Sequence, residues 1–263
     1  FFGWAFGKAR SQAGEVVFTT GMTGYPQSLT DPSYRGQILV ATYPLIGNYG
    51  VPLNSQKQME LDRWGIPLHF ESHHIQVAGL VVSDLCEEPS HFASGATLSQ
   101  WMEQQNVVGI YGIDTRALTE RLREHGVMRG KILVEGSREV TFESGDILHP
   151  VAEVSPREIQ VYSPSGSENV QPPKIALLDC GAKANIIRVL LSRGVEVIRL
   201  PWDHDLSGID YDGLFLSNGP GDPAVNYGII REIRKLAETG IPIFGICLGH
   251  QLMALAMGAK TEK

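Results

Sequence analysis

The chain has 263 residues, 43% hydrophobic and 19% charged, with a formal net charge of −7. That length and apolar content can bury a sizeable core in one large or two ordinary domains, and the acidic balance argues against a nucleic-acid partner. No 18-residue apolar run and no charged-then-apolar leader is present, and Cys86, Cys180 and Cys247 are too few and too scattered for a disulfide framework or a cysteine-rich metal site. A reducing, cytoplasmic setting is therefore expected, with no membrane association and no metal. The opening Phe1-Phe-Gly-Trp4, which lacks Met, and the stop at Lys263 soon after a helix read as a fragment of a larger polypeptide.

In chain order, residues 15–20 predict a strand and residues 21–26, with two glycines and a proline, a turn. Residues 37–43 predict a second strand, ended by Pro44, and residues 75–82 a third. Residues 98–105 and 115–125 predict helices. In the latter, Asp114 or Thr115 caps the start, Leu118 and Leu122 share a face, and Gly126 ends the helix. Residues 131–135 read as another strand. Residues 155–173 are rich in Ser, Pro and charge with little periodicity. The expected division is thus a mixed α/β domain at 1–153, a linker at 154–173 and a second α/β domain at 174–263.

From Lys174 the pattern changes. Strands at 175–178, 195–200, 213–217 and 241–246 alternate with helices at 184–192, 229–239 and 252–259. This alternation predicts a doubly wound, mainly parallel sheet, whose active site lies at the carboxyl ends of the strands. Cys180, the segment Asn218-Gly-Pro-Gly-Asp-Pro223 and Cys247 all fall at such ends.

Gly245-Ile-Cys-Leu-Gly-His-Gln251 joins a short strand to a helix, with a glycine two residues to each side of the cysteine. This is the pattern of a nucleophile elbow, a turn too sharp for large neighbours. At a helix N-terminus, free amides and the macrodipole favour a thiolate. The competing reading is a buried cysteine with glycines present for packing. The loop from Asn218 to Pro223 carries two glycines and two prolines, so its amides could donate to an oxyanion or an amide. It is neither a Walker loop nor a dinucleotide fingerprint.

Together the two segments resemble the class I, triad-type glutamine amidotransferases. Ala13-Gly-Glu-Val-Val-Phe18, Thr20-Gly-Met-Thr-Gly-Tyr-Pro26, Leu29-Thr-Asp-Pro-Ser-Tyr34, Tyr43-Pro-Leu-Ile-Gly-Asn-Tyr-Gly50, Gly112-Ile-Asp-Thr-Arg116 and Leu178-Asp-Cys-Gly181 are similar to the small subunit of carbamoyl-phosphate synthetase. The resemblance implies that Cys247 attacks the side-chain amide of L-glutamine, forming a thioester and releasing ammonia. It implies an oxyanion hole and pocket at Gly219, Gly221 and Leu248, and substrate contacts from Gln251 and from Ser33. It also implies a partner, the synthetase large subunit or a fused synthetase domain. That partner uses ATP and Mg²⁺ in carbamoyl phosphate synthesis for the pyrimidine or arginine pathway, and this chain itself needs no cofactor.

A thiol nucleophile needs an imidazole and a carboxylate to orient it. The resemblance implies a His-x-Glu pair beyond Lys263. His69-Phe-Glu71 has the right letters in the wrong domain, and His250 reads as a local helix-start side chain, so no base is assigned within the chain. Two rival functions are a catalytically inactive amidotransferase-like module of an ammonia-dependent synthetase and an unrelated cysteine hydrolase with the same elbow.

Overall fold

The computed structural model describes residues 1–165 and 171–262. Within it the chain forms two compact units, Phe1–Leu148 and His149–Lys263.

The first unit contains strands β1 (Trp4–Gly7), β2 (Gln12–Thr19), β3 (Ile38–Ala41), β4 (Leu45–Ile46), β5 (Gly79–Val81), β6 (Asp84–Leu85), β7 (Val108–Tyr111) and β8 (Met128–Ile132). Its helices are α1 (Tyr25–Thr30), α2 (Leu98–Gln104) and α3 (Thr115–His125). The main sheet has the order β1-β7-β5-β3-β2-β8. The four central strands are parallel, and the edge strands β1 and β8 run antiparallel to them. β4 and β6 form a small parallel pair. Strand β3 is buried at all four positions, as expected of a parallel strand covered on both faces.

Local chemistry sets the helix starts. Asp114 accepts from Ala117 N–H at 2.9 Å, which settles the cap of α3. Thr97 and Gln100 form a reciprocal capping box on α2. That helix buries Trp101 at 2% exposure against Phe70, with ring centroids 5.5 Å apart. Phe70 comes from an irregular stretch shaped by Asx turns. Asn54 Oδ1 accepts from Gln56 and Gln58 N–H, and Asp62 Oδ1 from Trp64 and Ile66 N–H.

The second unit contains α4 (Pro150–Val154), β9 (Gln160–Tyr162), β10 (Lys174–Asp179), α5 (Ala184–Ser192), β11 (Glu196–Pro201), β12 (Gly213–Leu216), α6 (Tyr227–Ala237), β13 (Ile243–Gly245) and α7 (Leu248–Ala256). Its sheet has the order β13-β12-β10-β11-β9. All neighbours are parallel except β9, which is antiparallel to β11. From β10 the chain winds through α5 to β11 on one side, then crosses to β12 and winds through α6 to β13 on the other. The direction reverses between β10 and β12. In sheets of this class ligands bind outside the carboxyl ends of the strands at such a reversal.

Several sequence expectations need correction. The boundary falls after Leu148 rather than at 153, because α4 packs Val151 into the core of the second unit. The expected linker at 154–173 supplies β9, which pairs Gln160–Tyr162 with β11; it reads as non-periodic because an edge strand of three residues carries little pattern. Residues 166–170 of that linker, and Lys263, lie outside the described residues. The strand expected at 131–135 lies at Met128–Ile132, where pairing with β2 turns Ile132 inward and leaves Arg129 and Lys131 exposed. The turn expected at 21–26 gives way to α1, with Pro26 tolerated in its first turn. The helix expected at 252–259 begins at Leu248, directly after Cys247.

The Trp101–Phe70 contact anchors α2 and the irregular stretch to the same core. Trp101→Ala should lower stability by about 3–5 kcal/mol, measured as a shift in denaturant midpoint. A change under about 1 kcal/mol would show that the cluster does not carry the first unit.

Candidate active site

Three strand ends carry the candidate residues. At the end of β10, Asp179 is fully buried, and its Oδ1 accepts from the N–H groups of Gly181 and Ala182 at 2.6 Å each. Its other oxygen pairs with Arg199 Nε of β11 at 2.5 Å, and Arg199 Nη1 also donates to Gln160 Oε1 of β9 at 2.9 Å. Burial works against the Arg199 charge, but Asp179 and, less strongly, Tyr162 together outweigh burial and hold its pKa above the ordinary value. The turn at residues 180–182 is thus pinned by a buried carboxylate rather than by solvent.

At the end of β12, the fully buried Ser217 acts as a junction. Its N–H donates to Leu178 O at 3.2 Å, and its hydroxyl accepts from Cys180 N–H at 2.8 Å and donates to Asn218 O at 2.7 Å. Its carbonyl accepts from Gly249 N–H at 3.0 Å. One serine therefore ties the ends of β10 and β12 to the start of α7. Asn218 extends the tie, with Oδ1 accepting from Lys183 N–H at 3.2 Å.

Cys247 occupies the N-cap of α7 at φ 50°, ψ −107°, a sparsely populated region for a residue with a side chain. The flanking glycines explain how this geometry is reached. A Cβ on Gly245 would lie 2.5 Å from Gly249 C, and one on Gly249 would lie 2.3 Å from Leu216 O. Backbone packs on backbone at both positions, so the chain reverses within five residues and leaves the Cys247 side chain exposed. This is the sharp strand-to-helix turn expected from the sequence.

Of the expected oxyanion residues, Leu248 follows Cys247 directly and Gly219 packs against Leu248. A Cβ on Gly219 would fall 2.2 Å from Cys180 O and 2.8 Å from Leu248 Cδ2, so this glycine sits against both the β10 turn and the first residue of α7. Gly221 has φ +86°, which a side-chain-bearing residue rarely adopts. Leu248 is buried at 1% exposure. Among the described residues, the N–H groups of Gly219, Gly221 and Leu248 take no acceptor. The first turn of a helix leaves such amides without an intrahelical partner.

Gln251 lies one turn into α7, exposed, with its N–H on Cys247 O at 3.0 Å. Ser33 lies in the first unit, in a 3₁₀ turn (Pro32–Tyr34) where its N–H donates to Asp31 Oδ1 at 2.9 Å. The structure thus sets Cys247, Leu248 and Gln251 on one helix start with Gly219 packed against Leu248, places Gly221 against Pro150, and leaves Ser33 in a separate unit.

Cys180 also ends a strand but is fully buried, and burial pushes its thiol pKa far up, with Asp179 adding to the effect. It is a packed apolar side chain. No histidine among the described residues hydrogen-bonds the Cys247 thiol, and none of their His, Cys, Asp and Glu side chains gather in threes around a metal position. Among them, no helix is long and apolar enough to cross a membrane. Ser217 and Asp179 received no role from the sequence. Their signal was a polar residue closing an otherwise apolar buried strand.

Residues 1–132 match the family model of the carbamoyl-phosphate synthase small chain, CPSase domain, and residues 176–263 that of the class-I glutamine amidotransferases. The chain is 46% identical over 274 residues to the carbamoyl phosphate synthase small chain of Pyrococcus furiosus, covering 99% of this chain and 70% of that protein. It is 44% identical over 271 residues to the carbamoyl phosphate synthase arginine-specific small chain of Aspergillus oryzae, covering 100% and 58% of the two. It is 46% identical over 267 residues to the multifunctional protein CAD of Squalus acanthias, covering 100% of this chain and 12% of that protein. The chain spans 12% to 16% of the length of the multifunctional relatives it matches. A first half that fits the small-chain model, followed by a cysteine elbow inside the amidotransferase match, leads to one assignment: the chain belongs to the carbamoyl-phosphate synthase small chain family, and its second half is a class-I glutamine amidotransferase domain.

Proposed function

We propose that the chain is the glutaminase component of a carbamoyl-phosphate synthase, hydrolysing glutamine and supplying ammonia to a synthetase subunit or fused domain. One observation carries this reading: Cys247 is held at φ 50° on the N-terminus of α7, next to the Leu248 amide, and that amide and those of Gly219 and Gly221 take no acceptor among the described residues.

The Cys247 sulfur forms a bond to the side-chain amide carbon of glutamine, and the carbonyl electron pair moves to oxygen. Amides at Leu248 and in the Gly219 to Gly221 loop donate to that oxyanion, an interaction strongest when the charge has developed. Collapse breaks the carbon–nitrogen bond, and the leaving nitrogen takes a proton to depart as ammonia. Water then attacks the thioester, releasing glutamate and restoring the thiol. Gln251, one turn into α7 from Cys247, contacts the substrate.

The proton shuttle is an imidazole outside residues 1–263. This reading rests on two facts: no described histidine bonds the thiol, and the Pyrococcus furiosus small chain is longer than the region matched. ATP and Mg²⁺ belong to the synthetase, since the chain has no Walker-type loop. The setting is the cytoplasm. The rival reading of an inactive module gains nothing from the site, because the cysteine and its strained turn are both in place.

In the full-length protein, Cys247→Ser should reduce glutamate release from glutamine by about three orders of magnitude or more, while Cys86→Ser leaves it unchanged. A glutamine-analogue chloroketone should label Cys247 alone. Hydrolysis that survives Cys247→Ser, or a well-folded wild type that releases no glutamate, would refute the assignment. Gly249→Ala tests the elbow separately. Its Cβ has no space at Leu216 O, so the thiol must shift, and kcat should fall about tenfold or more. Unchanged kcat would mean that the turn tolerates the shift.

A further inference from the structure

The short helix α4 is the first element after Leu148, where the first unit ends, and neither the sequence reading nor the mechanism above assigns it a role. Its first residue, Pro150, lies on the oxyanion loop. An ideal Cβ at Gly221 would meet Pro150 Cγ at 2.7 Å, Cδ at 3.6 Å and Cβ at 3.9 Å. The next residue, Val151, is 3% exposed and packs in the same apolar cluster as Leu216, Leu248 and Leu252. At the other end of the helix, Ser155 Oγ accepts from Trp202 N–H at 2.9 Å, and Ser155 N–H donates to Val151 O at 3.0 Å. The cleft between the helix and the loop, lined by Trp202, Pro220 and Asn226 among others, has a volume of only ≈ 10 Å³. That is room for one water at most.

On its opposite side the loop is also held. Gly219 abuts the Cys180 carbonyl and Leu248, and the 3₁₀ turn at Pro223–Val225 is closed by Asp222, which accepts from Ala224 N–H at 2.8 Å. Gly221 has no side chain with which to hold its own left-handed conformation. A pyrrolidine ring is rigid and starts a helix without requiring an acceptor for an N–H. It is therefore a stiff stop placed on the most permissive residue of the loop.

We infer that Pro150 is a positioning residue for glutamine hydrolysis: α4 clamps Gly221 so that the loop's amides point at the oxyanion. This rests on the glutaminase reading above and extends it. The contribution appears only when charge develops on the substrate oxygen, and so it acts on kcat.

The test uses the full-length polypeptide. Pro150→Ala removes the ring atoms over Gly221 and keeps a helix-forming residue. Expected are a fall of about tenfold in kcat for glutamate release, an unchanged KM for glutamine, and an unchanged rate of Cys247 alkylation by iodoacetamide. Ser155→Ala frees the other end of the same helix and should give the same pattern at about threefold. A folded Pro150→Ala variant with wild-type kcat overturns the inference, as does a parallel loss of kcat and alkylation rate, which would mark general disruption of the elbow. Should Pro150→Ala fail to fold, wild-type kcat in Ser155→Ala overturns it. An active wild type with unaffected variants rejects this inference alone, whereas an inactive wild type rejects the glutaminase reading and this one with it.

Discussion

The second unit depends on one constraint: backbone must pack directly on backbone where β12, β13 and α7 meet. Gly249 lies against the Leu216 carbonyl, Gly245 against Gly249, and Gly219 against the Cys180 carbonyl. Each contact leaves no room for a Cβ. Together they shorten the passage from strand to helix until the intervening Cys247 has only a strained conformation available. Such a conformation costs about 1–3 kcal/mol and persists only because its surroundings over-determine it. Ser217 supplies much of that determination, since its three polar groups make four hydrogen bonds, to the end of β10, to Asn218 and to the start of α7, while fully buried. The strain thus sits at the one residue whose side chain emerges, and the hydrogen-bonded junction lies beneath it.

Sheet topology explains why these elements meet at this point. A parallel sheet sends every connection over its carboxyl edge, and only at a reversal of winding do two neighbouring loops turn away from each other. Here the reversal lies between β10 and β12. The turn after β10 is fixed by Asp179 and Arg199, while the loop after β12 is left to carry exposed amides. The buried ion pair is better understood as a device of geometry than of net stability, because desolvation offsets much of its attraction.

Much of this was legible in the sequence. Apolar runs of four to six residues between helical segments marked the parallel strands of the second unit, and helices Thr115–His125 and Ala184–Ser192 fall where their patterns predict. The glycine spacing around Cys247 and the Gly-Pro-Gly loop announced the two turns of the candidate site because sharp turns admit few residue types. Other features were hidden for physical reasons. β9 is an edge strand of three residues whose partner, not its own pattern, makes it a strand. α4 is five residues long, too short for periodicity to register. The helical pattern of α7 registers only from residue 252, four residues after the helix begins, because Leu248 to Gln251 serve a turn as well as a helix, and their composition reflects the turn. The roles of Ser217 and Asp179 come from which chain segments they join, and no local pattern encodes that.

Cys180 and Cys247 show why position at a strand end is insufficient to define a nucleophile. Both close parallel strands of one sheet, and both precede turns that carry glycine. At Cys180 the chain enters a turn whose amides are already taken by Asp179, and the thiol points into the core, where burial holds it neutral. At Cys247 the corresponding turn is so tight that no side chain can fold inward, and the adjoining Leu248 amide takes no acceptor among the described residues. Glycine count is similar at the two sites. What differs is whether the turn's hydrogen-bond donors are used up by the protein or left for something else. A carboxylate one residue before the cysteine takes the first two amides after Cys180; before Cys247, where Ile246 stands instead, the Gly249 amide goes to backbone carbonyls and the Leu248 amide stays open.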